Sequence, residues 1–158
     1  VYTCSRNDRK NGTLERVVGD MVLLCNYPDQ YKKDTKAGFK WLNENGTISD
    51  FESLNTLLTR LTDSMETTKE TRALFNSKHA HILVAAFRAF TESGRADADF
   101  GKFLGWFVNG GKETEIDGES WDMWDSNKAT RDAGTVHGKM NYLTVLMGQY
   151  FKEAMKAA

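Results

Sequence analysis

Ser49-Asp50-Phe51-Glu52 opens the most informative stretch of the chain, residues 49–65, SDFESLNTLLTRLTDSM. A serine followed three residues later by glutamate predicts a helix start. The hydroxyl accepts from the backbone of the first turn, and the carboxylate reaches back to the N–H of the cap. Phe51, Leu54, Leu58, Leu61 and Met65 then recur in steps of three and four. That is the helical period, and it draws a narrow apolar stripe like the seam of a bundle. A helix with such a stripe needs other helices to cover it.

The stretches on either side supply those partners. Upstream, Leu14, Val17, Val18, Met21, Val22, Leu24 and Cys25 predict a helix from about residue 13 to 26, with Thr13 as its cap. The segment Asn26-Tyr27-Pro28-Asp29 stops it, and a weaker helix is expected over about 29–43. Downstream, residues 77–92 carry Ile82, Leu83, Ala86, Phe87 and Phe90, preceded by a turn from Thr68 and closed by Ser93-Gly94. Residues 97–109 follow, with Phe100, Phe103, Leu104, Phe107 and Val108 apolar. The segment 112–130 is irregular and acidic, with a small hairpin expected at Asp117-Gly118, a dipeptide suited to a type I′ turn. A long helix over 131–156 ends the chain, striped by Val136, Met140, Leu143, Met147, Tyr150, Phe151 and Met155. Pro28 is the one proline in 158 residues, as long helices require. The expectation is an all-α fold: an irregular bundle of five to six helices with one acidic, non-helical loop before the last. A polar tail over residues 1–12 precedes a single helical domain over 13–158.

Composition narrows the function classes. With 21 basic and 22 acidic residues, the net charge of −1 gives no global field to attract nucleic acid or an anionic membrane. Binding of either kind would need a local patch. Apolar runs such as Met21 to Cys25 fall far short of the ~20 residues that span a bilayer. The polar, basic start is unlike a signal peptide. A soluble, cytoplasmic protein is expected, with Cys4 and Cys25 as free thiols in a reducing compartment.

Four groups of residues are candidates for chemistry. Lys32, Lys36 and Lys40 recur every four residues, so a helix places them on one face, with Trp41 close by. Basic groups interleaved with aromatics suit single-stranded nucleic acid, although such a stripe is commonly the wet side of an amphipathic helix. Glu113, Glu115, Asp117, Glu119, Asp122 and Asp125 form an acidic cluster that encloses Trp121 and Trp124. Oxygen ligands at that density suit Ca²⁺ or Mg²⁺, but the spacing is not that of an EF-hand loop, so no metal or other cofactor is expected. The two tryptophans either pin the loop to the core or offer a contact surface; the first is favoured. His79 and His81, two apart on a helix, point in opposed directions and cannot share a metal. One is expected in solvent and the other satisfied at a helix start. His137 completes the histidines.

These features lead to a non-catalytic binding or interaction domain, fit for an accessory module of a larger protein. Its contacts are expected at Lys32, Lys36, Lys40, Trp41, Trp121 and Trp124, toward a protein partner or a second copy. Two alternatives stand beside it. One is a nucleic-acid-binding domain using the Lys32/Lys36/Lys40 face. The other is an enzyme that uses His79 or His137 with carboxylates of residues 113–125.

Overall fold

A computed structural model describes residues 4–31, 35–126 and 132–157. Its helices are α1 (Arg6–Lys10), α2 (Thr13–Asn26), α3 (Thr35–Asn45), α4 (Ile48–Ser64), α5 (Lys69–Leu74), α6 (Ala80–Thr91), α7 (Asp97–Val108), α8 (Trp121–Ser126) and α9 (Ala133–Ala157). The fold is all-α. Among the described residues the only β pairing is an isolated bridge, Ile116 to Glu119. It closes over Asp117 (φ 52°) and Gly118 (φ 82°), both left-handed, as the Asp-Gly turn requires.

The start of α4 is displaced from its expected position. The cap is Thr47, not Ser49. Thr47 Oγ1 accepts from the Asp50 backbone (3.3 Å), and the Asp50 carboxylate accepts from the Thr47 N–H (2.8 Å). Asp50 is chosen over Glu52 because it also accepts from Asn26 Nδ2 (3.0 Å) and from the Tyr27 hydroxyl (3.0 Å) at the end of α2. One carboxylate thus starts α4 and ties it to α2. Burial alone would raise its pKa, but these donors hold it below the usual carboxylate range.

The moved start goes with a turned stripe. Leu54, Leu57 and Leu61 are buried, Leu58 and Met65 are half-buried, and Phe51 is exposed. Likewise the cap of α2 is Gly12 (φ 77°) rather than Thr13, and the helix expected over 29–43 resolves into a 3-10 turn at Pro28–Gln30 and α3, which runs on to Asn45.

At the centre, α2 lies along α6, and α6 is also touched by α4, α7 and α9. This surround explains why α6 is apolar on nearly every side, from Ala80 through Phe87, with Arg88 and Ala89 left outward. Phe87, Phe90, Phe100, Phe103 and Phe151 form a continuous aromatic cluster joining α6, α7 and α9, with neighbouring ring centroids 5.0–6.3 Å apart. Gly101 lets α7 reach the end of α4, since a Cβ there would stand 1.8 Å from the Ser64 carbonyl oxygen.

Three short helices were not anticipated: α5 stands where a turn from Thr68 is expected, and the helix expected from residue 77 begins at Ala80. Residues 6–10 form α1 within the expected polar tail, and residues 121–126 form α8 within the expected non-helical loop. Among the described residues, no helix is long and apolar enough to cross a membrane.

Candidate functional site

The acidic segment is held to the bundle by its first tryptophan. Trp121 is buried (2 % exposed) among His79, Phe107 and Tyr142, at ring separations of 5.0, 5.5 and 6.2 Å. It is therefore an anchor, and it has no surface to offer a partner. Trp124 is half-buried against α9 at Gly138, where a Cβ would stand 2.3 Å from the indole ring. The Tyr142 hydroxyl donates to the Thr114 carbonyl (2.6 Å) and fixes the entry to the segment.

Anchoring α8 brings Asp125 to the start of α6 and the second turn of α9. His79, the cap residue of α6, lies 3.0 Å from Asp125 Oδ1 through Nε2. Lys139 of α9 donates to the same oxygen at 3.2 Å, and its Nζ is 3.4 Å from His79 Nε2. The ammonium also stands over the Trp121 ring, 5.1 Å from its centroid.

These distances fix the protonation pattern. Two acceptors do not sit 3.0 Å apart without a proton between them, so Nε2 carries the hydrogen and donates to Asp125. Nδ1 is then left with its lone pair, buried and without a hydrogen-bond partner among the described residues. Burial pushes the His79 pKa down, and the Lys139 charge pushes it further, against the pull of Asp125. The imidazole is neutral at neutral pH. Burial also lowers the pKa of Lys139, again opposed by Asp125. For Asp125, burial acts upward, but the His79 hydrogen bond and the Lys139 charge outweigh it and leave the carboxyl below its ordinary value.

His79 and Asp125 form part of the wall of a cleft of about 300 Å³, with Glu70, Asn76, Lys112 and Asp122 among its other walls. Lys112 pairs with Asp122 at 3.4 Å across it. Lys139 stands behind the cleft with its side chain wholly withdrawn from solvent. The imidazole meets the cleft wall with its Nε2–H committed to Asp125, while the Nδ1 lone pair is buried, so His79 acts there as a hydrogen-bond donor and presents no free base to the cleft. Among the described residues, no group of three or more histidine, cysteine or acidic side chains is placed to hold a metal ion.

The residues singled out from sequence are dispersed. Lys32 lies outside the described residues. Lys36 and Lys40 are exposed on α3, while Trp41 is half-buried, its ring edge-on to Tyr27 at 4.8 Å. His79 and His81 are both buried, so neither takes the expected solvent-facing place; His81 stacks on Tyr31 at 5.8 Å. His137 is exposed. Glu113, Glu115, Asp117 and Asp122 are exposed as well, Glu119 is half-buried, and Asp125 reaches the buried basic groups.

Lys139 was missed, although the sequence carries a sign of it. It falls between Val136 and Leu143 at steps of three and four, in phase with the dry stripe of α9. A lysine at such a position needs an anion in the core. No protein-family model, no curated protein and no solved structure matches this chain.

Proposed function

We propose that this chain is a non-catalytic binding domain that meets a protein partner, or a second copy of itself, at the amino-terminal end of α4. The observation that carries the reading is the exposure of Ile48 (79 %) and Phe51 (44 %). They stand one turn apart on a helix whose other face is locked into the core. A lone exposed apolar side chain is ordinary, but two large ones at i and i+3 share a patch. Reactive groups elsewhere are withheld. Lys139 is sealed in the core, and burial pushes the Cys25 thiol up to about 12, which keeps it from acting as a thiolate. Cys4 and Cys25 are both free, in keeping with a cytoplasmic setting.

The test is Ile48→Glu combined with Phe51→Glu. The double variant is expected to melt with the wild type and to lose concentration-dependent association in sedimentation, or a discrete partner in cross-linking. If wild type and variant are equally monomeric and cross-link to the same proteins, the reading fails.

A second reading, an enzyme using His79 with an acidic-segment carboxylate, is favoured by the 3.0 Å contact between His79 and Asp125 at the cleft wall. Hydrolysis of simple esters or phosphoesters that is lost in His79→Ala and kept in Ile48→Glu would put this reading first.

A further inference from the structure

A second cleft, of about 320 Å³, opens between α2, α4 and α6 and shares no lining residue with the His79 cleft. Its floor is apolar, made by Val22, Leu54 and Leu57. Its rim carries Arg60 and Arg88, together with the hydroxyl of Ser53 and the thiol of Cys25, and among the described residues no carboxylate lines it.

Both guanidiniums have donors to spare. Arg60 commits Nε and Nη2 to Asp97, at 2.9 and 2.8 Å, which leaves Nη1. Arg88 commits Nη1 to Glu92 at 2.7 Å, which leaves Nε and Nη2. The carboxylates that hold the two arginines come from outside the cleft, and they fix the side chains in place without filling it. Because burial keeps the Cys25 thiol protonated, with a pKa of about 12, it adds no negative charge to the cleft.

We propose that this cleft binds an oxyanion, the carboxylate or phosphate group of a small, partly apolar molecule, between Arg60 and Arg88. Guanidinium forks are matched to such groups, and the donors that Asp97 and Glu92 leave uncommitted, with the Ser53 hydroxyl, supply hydrogen bonds to an anion in a cleft that, among the described residues, no carboxylate lines. The apolar floor takes the body of the ligand.

The experiment is titration of the ¹⁵N-labelled chain with inorganic phosphate, acetate and butyrate, each against chloride at equal ionic strength. Amide shifts are expected at Ser53, Thr56, Arg88 and Thr91. Butyrate binding tighter than acetate identifies a carboxylate with an apolar body, and phosphate binding above both identifies a phosphate group. Arg88→Gln, which leaves the Arg60–Asp97 pair between α4 and α7 untouched, is expected to weaken binding about 10- to 100-fold, as loss of a charged hydrogen bond does. If none of the three anions moves those amides more than chloride does, or if Arg88→Gln binds as well as wild type, the site does not exist. A folded spectrum of the variant guards against loss by unfolding.

Discussion

Lys139 Nζ lies 3.2 Å from Asp125 Oδ1 although the lysine side chain is wholly buried and the aspartate is one-third exposed. The two ends of this pair are therefore unequal. Asp125→Asn strands an ammonium in the core, whereas Lys139→Met replaces it with an apolar chain of similar length and leaves Asp125 with His79 and solvent. Breaking a buried pair from the side that leaves a charge unmatched costs about 3–5 kcal/mol. Urea denaturation is expected to show Asp125→Asn as the more damaging substitution. The reverse order would mean that the lysine is neutral in the folded chain.

The His79 environment predicts an acid limb in stability. Its folded pKa lies below the ordinary 6.5, so the unfolded chain binds the proton more readily. Stability is unaffected by this group above pH 6.5 and falls as the pH drops from there through the folded pKa. Asp125 adds a loss of the same sign below 3.8, its unperturbed value. In His79→Gln, which keeps a donor for Asp125, the first limb is expected to flatten and the second to remain. Melting temperatures read from about pH 2 to 8 decide it, spanning the histidine and carboxylate ranges; an unchanged slope between the histidine range and about pH 4 in the variant would exclude His79 as the source.

The two tryptophans of the acidic segment are expected to behave differently. Trp121→Ala removes a fully packed indole and is expected to cost about 3–5 kcal/mol. Trp124 is half-buried, so its truncation is expected to cost less, and Gly138→Ala is expected to disturb the same contact by displacing its ring. Fluorescence of the native chain should lose its most blue-shifted component in Trp121→Ala alone. Equal and small effects of both truncations would show that the segment is not anchored through Trp121.

The position of the α4 cap is separable by two alanines. Ser49→Ala is expected to be neutral, within about 0.5 kcal/mol as for exposed sites. Asp50→Ala removes the carboxylate half of the Thr47 capping box, in a motif worth about 0.5–2 kcal/mol, together with its bonds to Asn26 and Tyr27. A larger loss at Ser49 than at Asp50 would restore the cap that the sequence pattern suggests.

The basic face of α3 gives a plain contrast with the binding patch of α4. Lys36→Glu with Lys40→Glu changes exposed side chains and is expected to leave the melting temperature unchanged. A single-stranded oligonucleotide retarded by the wild type at low salt, released as salt rises and not retarded by the double variant, would establish the nucleic-acid reading.

The helices were legible in the chain because the signal for each is local. The helix over 13–26 is observed as Thr13–Asn26, and that over 97–109 as Asp97–Val108. Even the Asp117-Gly118 turn follows from the backbone preferences of two adjacent residues. The caps and rotations were not legible. Thr47-Ile48-Ser49-Asp50 and Ser49-Asp50-Phe51-Glu52 are both sound helix starts. Asn26 and Tyr27, 24 and 23 residues away from Asp50, select between them through its carboxylate. The buried trio is the same case on a larger scale. His79, Asp125 and Lys139 have no pattern in common, and 46 residues separate the first two and 60 the outer pair. What joins them is the docking of Trp121, which carries Asp125 to a lysine already placed by the phase of α9. Local periodicity determined the elements of this protein. Which polar groups meet in its core depended on how the helices pack, because the cost of burying a charge is relieved only by a partner that packing brings within reach.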